Sequence, residues 1–487
     1  VTGRLALLLA ATTLTACSLE PRYVRPVPAA PPAWPAGDAY PAANAAVPVA
    51  VSYRQIFRDP RLQAIIEQAI ANNQDLRIAV ANVASARALY RVQRAQILPR
   101  IDASGGLNTG DRGGSGTDIG GSGTIGDPTL AGGNGTTTRY DAQIGLTAFE
   151  IDLFGRLRSL NNAAFQTYLG TEAGMRAARL TLVAEVASAY LALATDRSLL
   201  AIATDTEASA LRSVDLTRAR LEGGIAPRSE LRQAETVLAQ ARADHAALTT
   251  AVAQDRNALE LLVGAPVADD ALPISIEAVD GLLDELPAGL DSRVLLRRPD
   301  IAQSEYELRA ANARIGAARA AFFPTISLTA VAGFASTALS SLFNGDAFNW
   351  SVAPGASLPI FDGGANRGNL AFARAQQDLA LAQYQRAIQT GFREVADALA
   401  RRGTIDRQLT AQRQLEAAAR DNYNLADARY REGVDTFLTS LDAQRTLYGA
   451  RRSLAAARLV RADNLVALYR ALGGDMLMPE GEAPPRP

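Results

Sequence analysis

The sequence predicts a mainly α-helical protein with a membrane β-barrel portion, built from a duplicated unit of helix, β-hairpin, long helix and helix. Three observations predict it. Proline is absent from 129–226 and from 360–478, and there apolar residues recur at alternating steps of three and four, as in Val183, Val186, Tyr190 and Leu193, the spacing of a coiled-coil seam. Four other segments alternate apolar with polar or small residues, the period of a strand. The order of these segments then repeats. A shift of 225 places Asp75 on Asp300, Arg94 on Arg319, Pro99 on Pro324 and Ile101 on Ile326, and a shift of 209 places Glu185 on Glu394, Arg220 on Arg429 and Gly224 on Gly433.

Composition narrows the function. Of 487 residues 48% are hydrophobic and 20% charged, enough for a large core, which disfavours both wholesale disorder and a polytopic helical membrane protein. Forty-nine basic residues nearly cancel fifty acidic ones, so the net charge of −1 provides no field to draw nucleic acid. Every basic residue is Arg. Without Lys there is no Walker A, Schiff-base or kinase-type lysine. One His, His245, and one Cys, Cys17, cannot build a multi-His zinc site, a Cys cluster or an internal disulfide, so no metal or other cofactor is expected. His245 reads as a surface residue of an Ala-rich helix.

In chain order, Arg4 precedes the apolar run Leu5 to Leu14, the length of a signal-peptide core and too short to span a bilayer. Residues 1–16 therefore form a leader. Leu14-Thr15-Ala16-Cys17 resembles the lipobox of bacterial lipoproteins, so Cys17 is expected to carry lipid, and by the same resemblance Ser18 permits export to the outer membrane. Residues 17–52, crowded with proline, predict an extended arm that acts as a tether. Asp59 and Pro60 predict an N-cap and first helical residue, opening a helix that runs to Leu98 before Pro99. Long helices over 156–222 and 366–432 would each reach roughly 100 Å at 1.5 Å per residue. The runs 60–98 and 227–263 together approach one such helix, which suggests end-to-end stacking.

The strands fall in two hairpins, about 100–150 and 325–360. Ile101, Ala103, Gly105 and Leu107 alternate in the first strand and Tyr140, Ala142, Ile144 and Leu146 in the second, joined by a Gly-, Ser- and Thr-rich loop from Gly110 to Gly135. Ile326 to Phe334 and Phe348 to Leu358 follow the same rule. At about ten residues each, with one apolar face, they suit a tilted transmembrane strand. Four strands cannot close a membrane barrel, and an open edge in lipid leaves backbone groups unsatisfied, so several chains must share one. Three would supply twelve strands.

The chain resembles the TolC-like outer-membrane factors, specifically the lipoprotein type that serves RND multidrug efflux pumps. The residues that carry the resemblance are Ile97-Leu98-Pro99, Phe322-Phe323-Pro324, the run Phe149 to Arg156, Arg297-Arg298-Pro299-Asp300-Ile301, Leu358 to Gly364, and Arg429 to Val434. It implies a trimer with a twelve-stranded β-barrel in the outer membrane, continued by a twelve-helix periplasmic α-barrel, and two repeats, 53–270 and 271–475, before a Pro-rich tail, 476–487. The implied partners are two further copies, a periplasmic adaptor, an inner-membrane RND pump and outer-membrane lipid.

Two turns, Gly223-Gly224-Ile225-Ala226-Pro227 and Gly433-Val434-Asp435-Thr436, join long helices as αα-hairpins. The expected adaptor-docking tips are Gly223, Gly224, Gly433 and Val434. The resemblance places a periplasmic aperture just behind the second tip. Leu438, Asp442 and Arg445, at i, i+4 and i+7, share a helix face and in a trimer would form apolar, acidic and basic rings. The bland alternative is a surface ion pair between Asp442 and Arg445. The expected activity is a passive exit duct for drugs or other small amphiphiles. A type I protein-secretion duct and a structural periplasmic coiled coil are the rivals, and an enzyme ranks last because no nucleophile motif or pocket pattern accompanies the acidic residues.

Overall fold

The structure is a computed structural model and describes residues 18–40, 52–112, 135–279 and 292–474. Its elements are α1 (Tyr53–Ile56), α2 (Pro60–Asn72), α3 (Gln74–Ala95), β1 (Ile101–Arg112), β2 (Gly135–Ile151), α4 (Arg156–Glu222), α5 (Arg228–Val263), α6 (Ile276–Val279), α7 (Pro299–Ala320), β3 (Thr325–Ser336), β4 (Phe348–Ser357), α8 (Ala365–Arg431) and α9 (Phe437–Leu472). The chain divides into a sheet-bearing unit, 1–26, 84–169 and 306–382, and a helical unit formed by the rest.

In the sheet-bearing unit the four strands lie antiparallel in chain order, β1-β2-β3-β4. Register puts the apolar residues on one face: Ala103 opposite Ile144, Ile144 opposite Ala332, and Ala332 opposite Trp350. Asp102, Gln143, Thr329 and Ser351 take the other face, as the period of two requires. The apolar phase of β2 changes parity between Leu146 and Phe149. A β-bulge there sets Thr147 and Ala148 against Thr329, Ala148 takes a left-handed φ of 48°, and its N–H donates to Thr329 Oγ1 at 3.2 Å. Both Leu146 and Phe149 thereby stay on the apolar face. β1 pairs to Arg112 and β2 begins at Gly135, so regular pairing runs further than the loop boundary at Gly110 expected from composition. Most of that loop lies outside the described residues.

The arm is extended, but it is not a free tether. In the sheet-bearing unit Asn162 Nδ2 donates to Glu20 Oε1 (2.9 Å), Asn312 Nδ2 to the Pro21 carbonyl (2.7 Å) and Arg319 to the Leu19 carbonyl (3.3 Å). Gly316, inside α7, makes room: a Cβ there would lie 2.7 Å from Glu20 Cα. In the helical unit Trp34 stacks on Phe392 at 4.9 Å, and a Cβ on Gly403 would overlap the Ala39 carbonyl. Proline composition signals an extended chain but carries no signal of what that chain lies on, which is why docking was not foreseen.

The helical unit also breaks one expected helix in two. The run 60–98 is interrupted at Asn73 (φ −58°, ψ 131°) and its second part, α3, ends at Ala95. Asn73 Oδ1 accepts from the Leu76 N–H (2.8 Å) while its Nδ2 donates to the Leu262 carbonyl (2.9 Å), one of the last in α5. Gly264 closes α5 at φ +71°, where a Cβ would lie 2.7 Å from the Asn72 carbonyl oxygen. The two shorter helices thus meet end to end. The second half repeats the junction with a different side chain at the position 225 later: Arg298 Nη1 donates to the Ala471 carbonyl (2.8 Å), and its guanidinium grips Asp300 (2.7 Å) and Glu394 (2.9 Å). Burial alone would lower the Arg298 pKa, but these carboxylates more than offset it and raise it. Nearby, buried Asp59 caps α2 and accepts from Tyr190 (2.8 Å) and Arg61.

Gly403→Ala should cancel the usual gain. A helix-interior Gly→Ala change ordinarily gains about 1 kcal/mol, as expected at Gly449, where nothing lies within 4 Å of the added Cβ. At Gly403 the methyl should displace the arm, so thermal unfolding should show no gain and proteolysis within 27–40 should accelerate. Equal stabilisation by both substitutions would mean the arm does not dock there.

Candidate functional site

Both helix-connecting turns use one backbone solution. In the first, Gly224 takes φ +75°, and Ile225 and Ala226 N–H groups return to the Arg220 carbonyl (2.8 and 3.2 Å). In the second, Gly433 takes φ +76°, and Val434 and Asp435 N–H groups return to the Arg429 carbonyl (2.9 and 3.3 Å). Left-handed backbone is why glycine stands at these two positions. Gly223, Gly224, Gly433 and Val434 are all exposed, and a Cβ on Gly224 or Gly433 would meet nothing within 4 Å. The turns therefore offer open, apolar-flanked surfaces, with Ile225 and Val434 as the exposed hydrophobes.

Behind the second turn, α9 is two-sided. Phe437 and Leu441 are buried with Tyr430, Val214, Leu231 and Leu238, whereas Leu438, Asp442 and Arg445 are all exposed on the opposite side. The three are thus on one solvent-facing stripe, as their spacing predicts. Among the described residues no ion pair joins Asp442 to Arg445, so the intrahelical pair that would neutralise both is not formed.

Sequence reasoning missed what ties the two hairpins together. Tyr430, buried although Arg429 and Arg431 flank it, packs at a tilt against Phe437 (5.4 Å), lies under the Arg220 guanidinium (4.8 Å), and places its hydroxyl 3.3 Å from Thr217 Oγ1. Arg220 also donates to the Tyr430 carbonyl (3.1 Å). These partners are more than 200 residues apart, and no local pattern pairs them. His245 is half-exposed and not idle: its Nδ1 lies 2.9 Å from Glu207 on α4.

A second missed feature is a carboxyl pair, Asp196 on α4 and Asp255 on α5. Burial, then repulsion from Asp196, pushes the Asp255 carboxyl up to about 6, and its Oδ2 is buried without a hydrogen-bond partner. A proton held between the two carboxyls would supply one. Cys17, the expected lipidation site, lies outside the described residues.

The family model described as outer membrane efflux protein matches residues 65–265 and 290–474. The chain belongs to this family and is an outer-membrane efflux channel, not an enzyme. It is 42% identical to the antibiotic efflux pump outer membrane protein ArpC of Pseudomonas putida, over 98% of this chain and 97% of the relative, and equally similar, over the same shares, to the toluene efflux pump outer membrane protein TtgC of Pseudomonas putida. Among solved structures, the open state of the MtrE outer membrane channel of Neisseria gonorrhoeae superposes with a TM-score of 0.81 at 33% identity, covering 94% of this chain and 99% of that one. These matches bear out the long helices, the four-stranded sheet and the exit-duct activity.

Because Asp255 binds its proton more tightly folded than unfolded, stability should be fully present below its ordinary value near 3.8 and fall as pH rises toward about 6. Asp255→Asn should therefore raise the thermal midpoint at about pH 7.5, with the difference from the parent vanishing near pH 4. A difference independent of pH would rule out the shared proton.

Proposed function

We propose that three copies of this chain form one passive exit duct, fed by an inner-membrane RND pump through a periplasmic adaptor, for amphiphiles of the solvent or antibiotic class. The observation that carries the trimer is the sheet: one continuous apolar face and two edge strands, β1 and β4, that have no partner strand on their outer side among the described residues. In hydrocarbon an unpaired strand edge costs several kcal/mol per backbone group, which neighbouring chains remove. Three chains bring twelve strands, within the range of membrane barrels, and twelve helices continue them as a periplasmic tube. The names of the relatives, toluene and antibiotic efflux, support small molecules over polypeptides as cargo.

Within this reading the two halves, 53–270 and 271–475, are copies of one unit, preceded by leader 1–16 and arm 17–52 and followed by tail 476–487. Cys17 carries the lipid. Gly223, Gly224, Gly433 and Val434 dock the adaptor, since their open backbone allows a helical partner to approach closely. Leu438, Asp442 and Arg445 close the resting aperture. Repeated by threefold symmetry, the unpaired Asp442 makes an acidic ring whose repulsion is relieved by Arg445 of an adjacent copy.

Native mass spectrometry in mild detergent tests the assembly and the anchor together: a trimer is expected, each chain beginning at an acylated Cys17. A stable membrane-inserted monomer would sink the trimer, and an unacylated N-terminus would sink the anchor.

Replacing Leu438 and Asp442 with Ala and Arg445 with Ser should raise resting conductance in planar bilayers about twofold or more at equal trimer content, by removing both the apolar and the charged closure. Parental conductance would move closure elsewhere.

A further inference from the structure

The connection between β3 and β4 plays no part in the tips or the aperture, yet it is a built element. Ser336 Oγ and Ser341 Oγ lie 2.7 Å apart, and Ser341 N–H donates to the Ala338 carbonyl at 3.2 Å. Leu342 is buried while Leu339 and Phe343 beside it are 62% and 71% exposed. Connecting loops that face water carry polar side chains there. The direction in which Phe343 points is set by an aromatic chain: its ring stands edge-on to Phe334 at 5.5 Å, and Phe334 edge-on to its register partner Phe348 at 5.6 Å. Phe334 and Phe348 belong to the sheet's apolar face, with exposed Trp350 one step along it. The loop is therefore folded over the apolar face and not held out beyond the strands.

Distance gives the depth. The opposite end of β3 is marked by Phe322 and Phe323, each 40% exposed, with Phe154 stacked on Phe323 at 4.8 Å. From Thr325, two residues past Phe323, to Phe334 the strand rises roughly 30 Å at 3.3 Å per residue, or about 23 Å along the normal for a strand tilted near 40°. That matches an apolar band of about 25 Å bounded by aromatic girdles. Phe343, seated on Phe334, then falls at the outer boundary of the hydrocarbon.

We infer that the β3–β4 loop is a lipid-binding surface, with Leu339 and Phe343 inserted among acyl chains at the outer margin of the membrane, so that the outer mouth is anchored from its lipid side. This rests on the reading of the strands as a lipid-facing barrel. The partner is acyl hydrocarbon because Leu339 and Phe343 are apolar, with Asp346 the one charged residue of the loop, and because Phe343 is continuous with the face that meets the membrane.

The test is fluorescence quenching in proteoliposomes of acyl-brominated phosphatidylcholine. Phe343→Trp is placed in a Trp350→Phe background, and the signal of the Trp350→Phe chain, which leaves only Trp34, is subtracted. Emission from position 343 should fall at least twofold in brominated relative to unbrominated lipid and resist aqueous iodide. Quenching by iodide but not by bromine would make this a water-facing loop, and protection from both would make it a contact with protein; either overturns the inference. Trp350 of the parent chain provides the separate control. If it too escapes bromine, the lipid-facing barrel itself is wrong; if it is quenched while position 343 is not, only the loop assignment fails.

Discussion

In the sheet of this channel β2 and β3 find both neighbours within the chain, whereas among the described residues β1 and β4 each find one. Water would satisfy the remaining backbone groups, but hydrocarbon cannot, and the apolar face formed by Ile144, Ala332, Trp350 and their register partners suits hydrocarbon. The two requirements conflict in a single chain. The proposed shared barrel reconciles them and accounts for the duplicated hairpin, each copy of which contributes two strands and two helical connections to a common wall. The bulge at Thr147 and Ala148 serves the same end. Without it, Phe149 and Ile151 would turn to the polar side, so a left-handed alanine is tolerated where the gain is two large side chains kept in phase.

The helices face the complementary problem at their ends. A helix of 36 residues such as α5 or α9 ends with unpaired carbonyls, and where it abuts another helix those carbonyls are removed from water. The two halves solve this with different chemistry at matching positions. Asn73 does so with a neutral amide, one donor to Leu262 and one acceptor for Leu76. Arg298 does so with a buried cation that needs Asp300 and Glu394 beside it, a more demanding arrangement because desolvating a charge costs far more than desolvating an amide. Duplication preserved the geometry and let the side chain diverge.

The residues proposed to close the aperture are grouped on one helix. Leu438, Asp442 and Arg445 stand exposed on one side of α9, while the other side holds the Tyr430 and Phe437 seam against the first hairpin. A single helix thus joins an anchored face to a free one, so any movement of the exposed stripe must be accommodated by the contacts of Tyr430 with Arg220 and Thr217.

The sequence by itself determined the period of the long helices and the strands, the turns between the long helices and the duplication, because proline, glycine and side-chain alternation act on the nearest few residues. Asp59 and Pro60 opened α2, Gly224 and Gly433 turned the hairpins, and the parity of Ile101 to Leu107 announced a strand. It also placed Leu438, Asp442 and Arg445 on one stripe, since a helix fixes that from spacing alone. It took Asn73 as helix interior and carried no sign of what the arm lies on. Tertiary structure decided those matters: that Asn73 faces the end of α5, that Gly316 and Gly403 admit the arm, that Asp196 and Asp255 share a buried space, and that Tyr430 lies beneath Arg220. In each case the partners are separated by dozens to hundreds of residues, and their interaction depends on a packing distance that no local period encodes.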